Sequence, residues 1–429
     1  MAQIIGGIGV SHSPTIAFAK DTGKGDDPAW APIFDGFRVV QQWVQKQEID
    51  VLFLIFNDHI TSFFFDHYPA FSLGVDDRYV TADEGGGPRQ YPAVQGHVAL
   101  SRHIASALVA DEFDLALFQK KPLDHGLFSP LSMIAGDQEG WPGTIVPLQV
   151  GVLQFPVPSA RRCYRLGQSL RKAIQSFPDD DLRVAVVATG GLSHQVHGER
   201  CGFNNEDWDN EFLALLEHDP EKLTEIRLAE YAERSGMEGA EVIMWLIMRG
   251  ALSPSVRKVY SSTYLPSMTN IATLILEDTG AKPEPAELQA YREHVGYQLA
   301  GVEKLPGTYP FTLEASHRTY RLNDFLHRLV IPAHRTRFLN DFEALCTEYK
   351  LTEQERTMLR ERQWQALIRY GVIFFGLEKM AAVVGVSNPQ VYASMRGEDL
   401  ETFQKTRRVA MQYSVAAGPR AQQIEDGDS

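Results

Sequence analysis

The stretch DVLFLIFN, residues 50–57, carries six apolar side chains in succession, from Val51 to Phe56. A strand with one wet face alternates apolar and polar residues. An unbroken run of this length reads instead as a strand covered on both faces. Upstream, FRVVQQWVQKQ (37–47) has helical spacing, and QIIGGIGV (3–10) reads as a strand. Downstream, FDLALFQ (113–119), GTIVPLQVG (143–151) and DLRVAVVATG (181–190) read as strands. AVQGHVALSRHIASALVA (93–110) and ARRCYRLGQSLRKAIQ (160–175) read as helices between them. This alternation predicts an α/β fold with a mixed sheet flanked by helices.

GAEVIMWLIMRGAL (239–252) reads as one more helix, followed by late strands at 256–265 and 269–278. The texture then changes. EDTGAKPEPAEL (277–288) clusters Gly, Pro and charge, as a linker does. Beyond it the pattern is helical. Thr352 stands three residues before Glu355, the spacing of a capping box. The expected organisation is a catalytic domain over 1–280 and a smaller all-α domain over 281–429.

Composition narrows the function classes. The chain has 429 residues, 44% hydrophobic and 22% charged, enough for two cored domains. No apolar run approaches the ~18 residues of a membrane span, and no basic, then apolar leader opens the sequence. Cys163, Cys201 and Cys346 are odd in number and far apart, which suits a reducing cytoplasm better than a disulfide framework. A net charge of −14 disfavours nucleic acid as a partner. An anionic substrate then requires local cationic groups.

The polar residues that stand out are histidines. Of 13, His12, His59, His125 and His194 fall at strand exits or in nearby turns. Ligands of α/β sheets bind beyond the carboxyl ends of the strands, so these four imidazoles are expected to share one site. His67, His97 and His103 lack that context and read as structural. His197 reads as a surface or supporting residue. Two imidazoles and one carboxylate form a facial set suited to Fe(II), with positions left open. Glu238 and Glu241 are the carboxylate candidates. A carboxylate at a helix start is also favoured by the helix dipole without any metal. Zinc enzymes use the same residue types, although the H-E-x-x-H pattern is absent, as are a P-loop and a G-x-S-x-G elbow.

GGIGVSHSP, NDH, DHGLFSPL, ATGGLSHQVHG, EGAEVIMWLIMRGAL and YLPSMTNIA occur in this order. Together they resemble the catalytic subunit of the protocatechuate 4,5-dioxygenase type, the class III (type II) extradiol dioxygenases. Residues 320–395 resemble the small helical subunit of the same enzymes. One chain with both parts resembles the fused, gallate-cleaving branch. The resemblance implies Fe(II) held by His12, His59 and Glu241, with His194 as base and His125 as a second acid–base group. It implies a small aromatic acid and O2 as substrates, gallate ahead of protocatechuate. Thr269 and Ser267 become candidate substrate contacts. Glu378, Tyr392 and Tyr413 become candidate polar groups of a helical lid. It also implies a homodimer in which that lid covers the partner's active site. A Zn-dependent hydrolase on the same His/Glu set is the competing class.

Overall fold

A computed structural model describes residues 1–408. Its contacts divide the chain into two units, Met1–Gln298 and a second beginning at Leu299. The first unit is built on one mixed sheet. Its strands are β1 (Gln3–Val10), β2 (Val51–Phe56), β3 (Phe71–Gly74), β4 (Arg78–Tyr79), β5 (Val94–Gly96), β6 (Ala116–Phe118), β7 (Thr144–Val150), β8 (Arg183–Thr189), β9 (Val256–Tyr264) and β10 (Ile271–Asp278). The order across the sheet is β4-β5-β7-β2-β8-β1-β10-β9, with β3 pairing β6 and β7.

β2 is parallel to both β7 and β8, and β8 is parallel to β1. The carboxyl ends of β1, β2 and β8 therefore face one way. β10 runs antiparallel to β1, so its amino end reaches the same edge. Every residue of β2 is buried, as expected of a strand covered on both faces.

Two details differ from the sequence reading. Val94–Gly96 is a strand, and the helix starts only at Val98. The His97 ring caps it by accepting from the Leu100 N–H at 3.2 Å. Glu238–Met244 is a 3-10 turn and only Trp245–Ala251 is α-helical, so Glu241 lies in the tighter segment. The helix Pro285–Gly296, just after the Gly/Pro-rich stretch, packs on the first unit. Tyr291 Oη donates to Asp111 at 3.0 Å, and Arg292 Nε donates to the Ser176 carbonyl at 2.7 Å.

The second unit is helical from Leu313 to Lys405. Its own core includes Leu322, Phe325, Leu345, Leu367, Leu377 and Val391. Thr352 and Glu355 close the capping box that their spacing predicts.

Candidate active site

β1 ends at Val10, and Ser11–Ser13 turn the chain into the helix Pro14–Asp21. Ser11 pins that turn to β10: its N–H donates to the Ala272 carbonyl, and its Oγ accepts from the Ala272 N–H at 2.9 Å. His12 is thereby held at the sheet edge, 4% exposed. Glu241 approaches it from the helical layer, 5% exposed. The glycines of β1 make that approach close. A Cβ at Gly9 would stand 2.3 Å from the Trp245 ring, and one at Gly7 would stand 2.2 Å from Met248 Sδ. Neither distance is tolerable, so the bare strand face lets the segment carrying Glu241 settle directly upon it.

His12, His59 and Glu241 each bring one ligand atom within 4.8 Å of the others. His12 Nε2 lies 3.3 Å from Glu241 Oε1, and its Nδ1 lies 3.0 Å from Thr189 Oγ1. His59 uses Nδ1 to donate to Asp124 Oδ2 at 2.9 Å, and the same oxygen accepts the His59 backbone N–H at 2.7 Å. Its Nε2 is 3.3 Å from Asn57 Nδ2. Hydrogen bonds thus occupy Nδ1 of both rings and direct Nε2 inward, the way metal-ligating imidazoles are oriented. Burial disfavours charge on Glu241, yet the neighbouring His12 outweighs it and holds the carboxyl at about 2. Burial likewise acts against an ionised Asp124, but its hydrogen bond to His59 prevails and lowers the value. Two imidazoles and an ionised carboxylate fit a divalent transition metal.

Glu238 is engaged elsewhere. It pairs with His197 Nδ1 and accepts from the Val196 N–H at 3.0 Å. Between the two carboxylates weighed from sequence, Glu241 is the one that meets the imidazoles.

The other two strand-exit histidines border the same space. His125 opens the helix His125–Ala135, capped by Asp124, and its ring stacks on His59 with centroids 4.1 Å apart. His194 follows β8, where Gly190 takes φ +127, a conformation closed to most side chains. Its Nδ1 donates to the Leu192 carbonyl at 2.7 Å. This fixes the neutral ring as the Nδ1–H tautomer, with Nε2 as acceptor. Ser193, just before it, is clamped by buried Asp209: Oδ1 accepts the N–H at 2.9 Å and Oδ2 the hydroxyl at 2.6 Å. Asn270 donates to the same Oδ2 at 2.8 Å, tying the His194 loop to the start of β10 beside Thr269.

His12, His59, Glu241, His125 and His194 line a cavity of about 420 Å³ together with Thr269, Ser267, Ser13, Thr15 and Leu153. Among the described lining residues there is no Lys or Arg. The local cations expected for an anionic ligand are therefore missing from the described lining of this unit's cavity, whose polar side chains are imidazoles, hydroxyls and the carboxylates of Glu238 and Glu241. Glu378 and Tyr392 belong to the second unit, where Glu378 Oε1 accepts from Tyr392 Oη at 3.1 Å and from Asn388 Nδ2 at 2.9 Å. Tyr413 lies outside the described residues. Asp124, Glu84 and Asp209 escaped the sequence reading. Asp124 carried one signal, a carboxylate adjoining a strand-exit histidine.

Residues 6–274 match the family model described as the catalytic LigB subunit of aromatic ring-opening dioxygenase. The chain belongs to that family. Residues 322–408 match the model of the LigA subunit of the aromatic-ring-opening dioxygenase LigAB, so parts corresponding to both subunits stand in one chain. The protein is thus an aromatic ring-opening dioxygenase with a helical C-terminal region. A protein named gallate dioxygenase from Pseudomonas putida is 61% identical over 336 residues, covering 78% of this chain and 98% of that relative. A 2,3-dihydroxyphenylpropionate/2,3-dihydroxicinnamic acid 1,2-dioxygenase from Photorhabdus laumondii is 26% identical over 185 residues, 43% of this chain and 54% of its own length. One of the same name from Paraburkholderia xenovorans is 33% identical over 138 residues, 32% of this chain and 41% of its own. No helix among the described residues is long and apolar enough to cross a membrane.

Proposed function

We propose that this chain opens the ring of gallate, 3,4,5-trihydroxybenzoate, with O2, cutting beside the hydroxylated carbons to give a 4-oxalomesaconate-type product. The observation that carries the chemistry is the meeting of two Nε2 atoms and one buried carboxylate in a cavity bordered by two further imidazoles. The substrate is supported by the 61% identity to the Pseudomonas putida gallate dioxygenase. His12, His59 and Glu241 are the residues that would hold Fe(II). Bound there, Fe(II) would supply Lewis-acid binding of the aromatic diol and electron exchange between ring and O2.

The protein's own groups handle protons and orientation. His194, whose Nδ1–H is engaged by the Leu192 carbonyl, takes a phenolic proton at Nε2. His125 takes a proton from a second ring hydroxyl at Nε2 and returns it as the ring opens. Thr269 hydrogen-bonds a ring hydroxyl, and Ser267 with nearby backbone amides receives the carboxylate. A site built to bond the third hydroxyl leaves a polar group unpaired when protocatechuate binds, which favours gallate. In this reading the working unit is a cytoplasmic homodimer. The helical region of one protomer, with Glu378 and Tyr392, covers the site of the other.

The test is kcat/KM for gallate and for protocatechuate after anaerobic loading with Fe(II). A clear gallate preference supports the proposal. Equal or reversed preference makes the protein a fused protocatechuate 4,5-dioxygenase. Activity with zinc and without O2 uptake would replace the oxygenase reading with a hydrolase.

A further inference from the structure

The sequence TADEGGGPR, residues 81–89, has no part in the function described so far, yet it is built onto the segment that carries His125. At its front, Thr81 forms a parallel bridge with Leu123. The Ala82 N–H donates to the Leu123 carbonyl at 2.8 Å, and the Leu123 N–H donates to the Val80 carbonyl at 2.9 Å. At its back, Arg89 Nη1 donates to Ser132 Oγ at 3.0 Å and to the Phe128 carbonyl at 3.2 Å, both on the helix that His125 opens. Between these anchors Asp83 Oδ1 accepts the N–H groups of Gly85 and Gly87 at 2.8 and 2.9 Å and folds the loop back. The fold presents Glu84 to the histidine at two points. Oε1 accepts the His125 backbone N–H at 2.9 Å, and Oε2 accepts from the ring at Nδ1.

We propose that Glu84 is a positioning residue for ring opening: it fixes His125 as the Nδ1–H tautomer and aims Nε2 at the substrate cavity. The inference rests on the role given to His125 above. A free imidazole exchanges tautomers and rotates. A carboxylate bonded to both the ring and the backbone of one residue removes both freedoms. Among the described residues His125 Nε2 has no hydrogen-bond partner, so it is the atom left for proton transfer. Asp124 does the same for His59, and the stacked pair of rings is thus held by two separate carboxylates.

The experiment compares wild type, Glu84→Ala and Glu84→Gln as full-length protein. In the metal-free form with 15N-labelled histidine, long-range 1H–15N spectra read the tautomer of each ring, with His125 assigned by its loss in His125→Gln. Wild type should show His125 as Nδ1–H, and Glu84→Ala should shift it toward Nε2–H. With Fe(II) loaded, Glu84→Ala should lower kcat about 10- to 100-fold, with metal content, Tm and KM for gallate unchanged. Glu84→Gln keeps one acceptor and should recover part of the loss. An unchanged His125 tautomer in Glu84→Ala, or a kcat within twofold of wild type, overturns the proposal. So does a fall in kcat that merely follows loss of metal or of Tm. Should wild type open no ring of either acid, the functional reading fails, while the tautomer spectra still decide whether Glu84 sets the ring.

Discussion

At the sheet edge His12, His59, His125 and His194 each spend Nδ1 on a hydrogen bond or charged partner; Nε2 meets Glu241 in His12 and Asn57 in His59. In the helical unit Glu378, also expected to serve a ligand, is met by Tyr392 and Asn388 of its own helices. The first arrangement leaves Nε2 of His125 and His194 without a hydrogen-bond partner among the described residues. The second is a pair of hydrogen bonds between neighbouring helices of one unit. Groups with an open bonding position are where binding energy and proton transfer are available; hydrogen bonds between helices hold the helices together. Substitutions at the edge should therefore change chemistry, and substitutions in the cluster should change stability.

The largest expected effect is at the metal. His59→Ala should weaken Fe(II) binding by more than the ~100-fold typical of losing an outer partner, read as metal content after dialysis. Retention of stoichiometric iron would break the contrast at its strongest point. His194→Ala should keep iron and lose about 10²- to 10⁴-fold in kcat; a near-native kcat would remove it as the base. Gly9→Ala places a methyl group against Trp245 and should cost about 1–3 kcal/mol in urea unfolding. Weaker iron binding should accompany it, because Glu241 rides on the displaced segment. The smallest effect is Tyr392→Phe, about 0.5–1.5 kcal/mol for one hydrogen bond, read as a fall in Tm. An unchanged KM for gallate confines Tyr392 to its cluster. A raised KM assigns it a second role over a partner's site and sharpens the difference between the two regions.

Much of the edge was legible because its cause is local in sequence. An apolar run such as Val51–Phe56 announces a doubly covered strand, and parallel neighbours send their exits to one side. His59 and His194 come directly after such runs, so their meeting could be anticipated. The carboxylates that orient the rings could not. Asp124 and Glu84 reach their histidines across 65 and 41 residues, and only tertiary pairing brings them together. The choice between Glu238 and Glu241 depended on His197 claiming one of them. The helix expected from residue 93 loses its first turn because the short strand Val94–Gly96 pairs with β7 and His97 caps the helix at Val98. In the second unit the helical pattern and the Thr352–Glu355 capping box were legible, but not which polar groups would find one another.

The bare face of β1 has a practical corollary. The span from His12 to Glu241 is set by backbone resting on Trp245 and Met248, not by the reach of flexible side chains. A protein engineer who copied only the three donors onto another scaffold would carry over their identities and lose their spacing. The transplantable piece is the glycine strand together with the turn and helix seated on it.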